Sequence, residues 1–262
     1  MKAELYPFNP SFWFGLIEPR LECYYQPVYS VHDHRIIGAE ALVRIKDNHG
    51  GFHNTEDVIC KAEEMGWVVD IDRWVFQEVC NNIPSFRAYG IERININLSS
   101  HSCLDPLLVK RVVAYLKNHG IAHSEICMEI TETGKTSDES QFSIMLSELE
   151  RAGIRIALDD FGKGESNLLR LIEIPFSTLK LDRAFICSLD NRELARPFLE
   201  AIVNICNTHN ILITAEGVET HYQAQQLAAM GCDCLQGYLI SKALPYDQFI
   251  RFLKDHAHDV YV

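Results

Sequence analysis

A short β-branched run followed by a helical stretch recurs along nearly the whole chain, and few folds accommodate that alternation. Strand-like runs fall at 23–28, 35–45, 94–98, 126–130, 155–159, 178–181, 211–215 and 234–236. Helical patterns fall at 57–65, 70–82, 107–118, 139–152, 192–207, 219–230 and 246–256. In the second of these, Trp74, Val75 and Val79 give part of an apolar stripe. Gly120, Gly153 and Gly231 each stand just past a helical stretch, where a left-handed C-cap is wanted. Residues 30–34 are too short a link for a helical crossover, so the first two runs form a hairpin. The expected fold is α/β, a modified (β/α)8 TIM-like barrel with one antiparallel strand near the N-terminus.

With 262 residues, 47% of them hydrophobic, the chain has the size for one such barrel. Residues 22–262 carry the barrel pattern, and residues 1–21 read as an N-terminal helix or linker packing on it. The apolar run Phe12-Trp13-Phe14-Gly15-Leu16-Ile17 is too short for a signal sequence or a membrane span, and Glu18 and Arg20 follow directly. A net charge of −12 argues against docking on nucleic-acid polymers or anionic membranes, which repel an acidic surface. It leaves room for a small phosphorylated ligand held through metal ions, because bound cations reverse the local field. The nine cysteines lack paired C-x-x-C spacing; Cys232 and Cys234, the close pair, read as core filling rather than zinc ligands. Free thiols suit a reducing compartment, so the expected location is cytoplasmic.

Ile156-Ala157-Leu158 runs straight into Asp159, Asp160, Phe161 and Gly162. Adjacent carboxylates repel each other and lose hydration if buried, so a divalent metal between them is one resolution. A helix start, with either aspartate as N-cap, is the other. Both side chains reach one site only if the strand ends there and its last residue swings inward. In a barrel, the C-terminal strand ends share one mouth. Those ends carry Glu40 and Arg44, Asn97 and Ser99, Glu129 and Glu132, Asp159 and Asp160, Lys180 and Asp182, Glu216 and Glu219, then Gln236. Singly, Arg44 could be a salt-bridge partner, Asn97 a turn residue and Glu219 a helix N-terminal charge. Together, several carboxylates with an asparagine and a lysine make a hard-oxygen site for Mg2+ or Mn2+. On the residues alone, the reading is a barrel hydrolase using two metals for in-line displacement at phosphorus.

Eight short motifs occur in order: Tyr25-Gln26-Pro27-Val28, Glu40-Ala41-Leu42-Val43-Arg44, Asn97-Leu98-Ser99, Glu129-Ile130-Thr131-Glu132, Asp159-Asp160-Phe161-Gly162, Leu179-Lys180-Leu181-Asp182, Ala215-Glu216-Gly217-Val218-Glu219-Thr220 and Gln236-Gly237-Tyr238-Leu239. With them the chain resembles the EAL domain family of cyclic di-GMP phosphodiesterases, over about residues 22–252. The resemblance implies that Glu40, Asn97, Glu129 and Asp159 hold one divalent ion. It implies a second ion bridged by Asp159, held by Asp160 and reached by Glu216, with water between the two as nucleophile. Lys180 would orient that water, Glu216 would serve as ligand or base, and Glu132 would brace the loop bearing Asp160. Gln26, Leu42, Arg44, Asp182, Glu219 and Gln236, with Glu40, would lie on the substrate side. Alanine in place of Glu40 or Lys180 is expected to cost activity by orders of magnitude with little loss of stability, Lys180→Ala retaining nucleotide binding.

Family members read D-D-F-G-T-G-Y-S-S after the fifth strand, whereas this chain places Lys163, Glu165 and Asn167 at three of those positions. Ile45 stands where the family has a tryptophan. These changes leave the expected ligands intact and bear on rate, dimer formation and regulation. The resemblance implies an enzyme that opens cyclic di-GMP to linear pGpG, works with two Mg2+ or Mn2+ ions per site and is inhibited by Ca2+. The alternative is a catalytically weak or inactive module acting as a cyclic di-GMP receptor or protein-interaction regulator. A homodimer is the assembly that the resemblance allows.

Overall fold

The computed structural model describes residues 15, 17–131, 138–163, 174–189, 193–256 and 259–262. β1 (Leu21–Ser30) and β2 (Arg35–Ile45) form the expected antiparallel hairpin, paired from Leu21 opposite Ile45 to Ser30 opposite Arg35. β3 (Arg93–Asn97), β4 (Ile126–Thr131), β5 (Arg155–Phe161), β6 (Thr178–Leu181), β7 (Leu212–Ala215) and β8 (Cys234–Leu235) follow. From β2 onward each strand pairs in parallel with the next. β8 then meets Tyr29 and Ser30 of β1 antiparallel, which closes an eight-stranded barrel. β1 therefore runs against both neighbours. A short extra strand, β9 (Leu244–Pro245), pairs with Tyr24 and Tyr25 of β1.

Helices lie between the strands. α1 (Thr55–Glu64) and α2 (Val68–Arg87) link β2 to β3, and α3 (Ser100–Cys103) and α4 (Leu108–Asn118) link β3 to β4. α5 (Glu139–Arg151) precedes β5, while α6 (Arg183–Ser188) and α7 (Ala195–Thr208) precede β7. α8 (His221–Met230) precedes β8, and α9 (Tyr246–Asp255) follows β9. Local chemistry marks their ends: Asp138 accepts from the Ser140 and Gln141 amides, Thr220 and Gln223 form a capping box, and Gly231 ends α8 at φ 95°. α2 runs through Pro84, past the expected stop at residue 82, because buried Ile83 and Phe86 hold its last turn. α3, α6 and β9 are too short to leave a periodic signal. The N-terminal segment expected at 1–21 falls largely on residues 1–14, outside the described residues; Glu18–Arg20 form a 3-10 turn that leads into β1.

Strand alternation sorts the barrel residues into two groups. Ile94 and Ile96, Met128 and Ile130, and Leu179 and Leu181 join the helices in the main core. The intervening Asn95, Glu129, Thr178 and Lys180 are buried as well, so the interior of the barrel is polar. Cys232 joins the main core and Cys234 a separate small cluster with Val28 and Ile37, so the two thiols pack apart. None of the nine cysteines forms a disulfide among the described residues.

Gly237 sits where the loop after β7 crosses the loop after β8. The Val218 amide donates to the Gln236 carbonyl, and the Leu239 amide donates to the Val218 carbonyl. A β-carbon on Gly237 would overlap the Val218 backbone on both sides. Gly237→Ala is expected to destabilise the protein by about 1–3 kcal/mol or more. The measurement is urea unfolding: the midpoint should fall while the slope stays unchanged.

Candidate active site

Lys180 projects from β6 into the mouth of the barrel with its side chain 1% exposed. Its Nζ lies 2.7 Å from Glu216, 2.8 Å from Glu129, 3.1 Å from Glu40 and 3.2 Å from Asp159. These carboxylates come from β2, β4, β5 and the residue after β7. An ammonium has three protons, so one of the four contacts is always purely electrostatic.

Amide side chains complete the shell. Asn97 Nδ2 donates to Glu40 Oε1 at 3.0 Å, and Gln236 Nε2 donates to Glu40 Oε2 at 2.7 Å. Asn95 Nδ2 donates to Glu129 Oε1 at 2.8 Å. Asn95 was missed in the sequence, although as the polar member of Ile94-Asn95-Ile96-Asn97 it faces the same way as Asn97.

The charges do not balance. Burial opposes ionisation of Glu129, Asp159 and Glu216, and their mutual repulsion adds to it; Glu129 is pushed well up and Glu216 to about 8. Burial acts against Glu40 too, but Lys180, Gln236 and Asn97 outweigh it and hold that carboxyl below its usual value. For Lys180 burial disfavours charge, yet Asp159, Glu129, Glu216 and Glu40 together keep it firmly protonated. This burial bears on one expectation: removing Lys180 strips the counter-charge from a buried acidic group, so Lys180→Ala is expected to weaken the fold, against the small loss of stability expected from the sequence.

The residues fit a divalent cation. Glu40, Glu129 and Asp159 each offer a carboxylate oxygen, all within 4.8 Å of one another, a grouping that could hold a metal ion. Glu129 Oε2 and Gln236 Oε1 are buried without a hydrogen-bond partner among the described residues. Buried polar atoms are nearly always satisfied, and a hard cation satisfies oxygen donors of this kind.

The aspartate pair differs from expectation. β5 does not end at Asp159 but continues to Phe161, and neither aspartate caps a helix. Instead, the β5–β6 register slips between Leu158 and Phe161, and Asp160 takes a left-handed φ of 60°. That bulge breaks the alternation and turns Asp160 toward the cleft while Asp159 faces Lys180. Asp160 lies outside the close carboxylate group and pairs with Lys163 at 3.2 Å.

Two clefts meet at Glu40 and Leu42. The larger, about 700 Å3, is bordered by Arg44, Asn97, Asp160 and Lys163. The smaller, about 250 Å3, is bordered by Gln26, Glu219, Gln236 and Tyr238. Arg44 donates to the Val43 carbonyl and lies over the Tyr24 ring. Gln26 accepts from Gln236 and donates to the Ser241 carbonyl. Glu219 pairs with Arg183 at 2.7 Å and stands outside α8, whose N-cap is Thr220. Asp182 is the N-cap of α6 and accepts from the Ala184 amide. Glu132, Glu165 and Asn167 lie outside the described residues. Asp72 of α2 was also missed: its Oδ2 accepts from the Ser99 amide and from the Ser99 and Ser102 hydroxyls, which pins the turn after Asn97. Its signal was a carboxylate on the stripe of Val68, Ile71 and Val75.

Fold and site together define a barrel protein with an acidic, lysine-centred mouth. The chain matches the EAL domain over residues 15–243 and belongs to that family. It is 34% identical over 233 residues to the bifunctional diguanylate cyclase/cyclic di-GMP phosphodiesterase MucR of Pseudomonas aeruginosa, covering 88% of this chain and 34% of that protein. It is 32% identical over 235 residues to the signaling protein YkoW of Bacillus subtilis, covering 89% of this chain and 29% of that protein. The chain thus spans about a third of the length of these curated relatives. A solved structure, the PaMucR phosphodiesterase in complex with c-di-GMP, superposes with a TM-score of 0.81 at 33% identity, covering 91% of this chain and 98% of that one. No described helix is long and apolar enough to cross a membrane.

Glu216 gives a pH prediction. Burial, with the neighbouring Asp159 and Glu40 carboxylates, raises its carboxyl from 4.5 to about 8 in the folded protein. The bound proton therefore stabilises that protein fully below the unfolded value, and the contribution is lost as pH rises through about 8. A metal that takes the place of the proton should raise the melting temperature of chelator-treated protein more at about pH 9 than at about pH 6. Thermal melts with and without Mg2+ at both pH values check this.

Proposed function

We propose that this chain is a metal-dependent phosphodiesterase that hydrolyses cyclic di-GMP to linear pGpG. The observation that carries the reading is the buried ring of Glu40, Glu129, Asp159 and Glu216 around Lys180, at the mouth of a barrel whose relatives include named cyclic di-GMP phosphodiesterases. Glu40, Asn97, Glu129 and Asp159 would hold one Mg2+ or Mn2+, and Asp159, Asp160 and Glu216 a second. When bound, the ions acidify water and neutralise charge on the phosphodiester.

The protein residues then have distinct tasks. Lys180 stays protonated, so it cannot act as a base; it donates hydrogen bonds that orient the attacking oxygen and stabilise its charge. Glu216, beside Lys180 at 2.7 Å, would serve as a ligand of the second ion or as the base. Gln236 and Asn97 keep Glu40 ionised and fixed. Arg44 would bind phosphate in the larger cleft, and Gln26 would read a guanine edge in the smaller one. A dinucleotide with two equivalent halves suits two clefts that meet at Leu42. Glu219 and Asp182, beside the smaller cleft, would complete the ligand boundary, and Glu132 would brace the loop carrying Asp160. A cytoplasmic protein, monomeric or as a homodimer, is compatible with this role.

Turnover of cyclic di-GMP with Mg2+ or Mn2+, followed by nucleotide separation, tests the reading. pGpG should form, a chelator should stop it, and Ca2+ should not support it, since its larger and looser coordination spoils a two-ion geometry. Glu40→Ala should lower kcat/KM by more than the roughly 10–100-fold that loss of an outer-shell partner costs. Nucleotide binding without product at saturating Mg2+ and Mn2+ would assign the chain to the receptors instead.

A further inference from the structure

Lys163 stands three residues beyond Asp160 and folds back onto it. Its backbone amide donates to the Asp160 carbonyl at 3.1 Å, and its Nζ lies 3.2 and 3.5 Å from the two carboxylate oxygens. The carboxylate it meets is held from below: Asp160 is in a left-handed conformation, and its amide donates to Asp159 Oδ1 at 2.8 Å. Both side chains border the large cleft beside Glu40 and Asn97. The strength of the contact is limited, because Lys163 is 60% exposed and water screens it. Lys180, by contrast, is only 1% exposed among its four carboxylates.

We infer that Lys163 is a tethered cation that a divalent ion must displace from Asp160, so that this lysine sets how tightly the second ion of the proposed pair is held. The inference rests on the two-metal reading above and adds a residue that this reading does not use. An ammonium on both oxygens of Asp160 occupies the lone pairs that an ion would need, and like charges at that range repel. The exposed stem lets Lys163 swing into solvent once the ion arrives, so its effect is on affinity and not on whether the ion binds at all.

The test uses Mn2+ alone. The chelator-stripped chain is titrated with Mn2+ by calorimetry as wild type, Lys163→Met, Lys163→Arg and Asp160→Asn, and thermal melts verify that each variant is folded. Wild type should show two binding events, and Asp160→Asn should abolish the weaker one. Lys163→Met should tighten that weaker event by roughly three- to tenfold, with a smaller gain at high salt. Lys163→Arg, which keeps the charge, should stay near wild type. If the weaker event has the same affinity in wild type and Lys163→Met, the inference is overturned while the two-metal reading stands. If wild type binds no Mn2+, or a single ion indifferent to Asp160→Asn, the two-metal reading fails and the inference fails with it.

Discussion

Charge imbalance around Lys180 is the constraint on which the rest of the structure depends. One buried ammonium faces four carboxylates that the barrel brings within 3.2 Å of it. Such an excess of negative charge in a poorly hydrated place is unfavourable unless something compensates it. The compensation visible in the protein is threefold: amide donors on Glu40 and Glu129, raised proton affinities, and oxygen atoms left open to a cation. The barrel register serves this balance. A slip of one residue in β4 or β6 would turn Glu129 or Lys180 into the helix layer and bring apolar side chains to the mouth.

Much of this was legible because barrel chemistry is written at the ends of apolar runs. The five-residue link between the first two strands dictated the hairpin, and glycines marked where helices stop. Carboxylates that interrupt β-branched runs pointed to the mouth, and the structure does gather Glu40, Glu129, Asp159, Lys180 and Glu216 there. What stayed hidden depends on geometry that residue type does not encode. An aspartate gives no sign of a left-handed φ as a glycine does, so the β5 bulge looked like a strand end. Asp182 was read as a ligand-side residue, and its capping of α6 was hidden because a six-residue helix has no periodicity to announce it. Asp72 sits far from the mouth in sequence, and its hold on Ser99 exists only once α2 lies against β3. The polar barrel interior was hidden for a related reason: buried parallel strands commonly read as unbroken apolar runs, and here only the outward-facing half does.

Two lysines of identical chemistry illustrate how burial divides labour. Lys180 is a buried charge whose removal would leave its carboxylate partners facing one another. Lys163 touches a neighbouring carboxylate through solvent-screened contacts and is free to let go. The same contrast separates Glu216, only 18% exposed and strongly shifted, from Glu219, 41% exposed and paired with Arg183.

Closure of the ring has a consequence for how the molecule matures. Glu40 and Lys180 are 140 residues apart, and Glu40 and Gln236 are 196 apart. Contacts of such long range form late, after the chain has surrendered most of its freedom. Within the barrel the β1–β2 hairpin precedes β8 in sequence, and closure waits until β8, the strand that seals it, has been made. Until then Glu40 lacks the ammonium and the amide that hold it ionised in place. The lysine-centred ring is thus a mark of the finished barrel: an incompletely assembled molecule does not bring these carboxylates together.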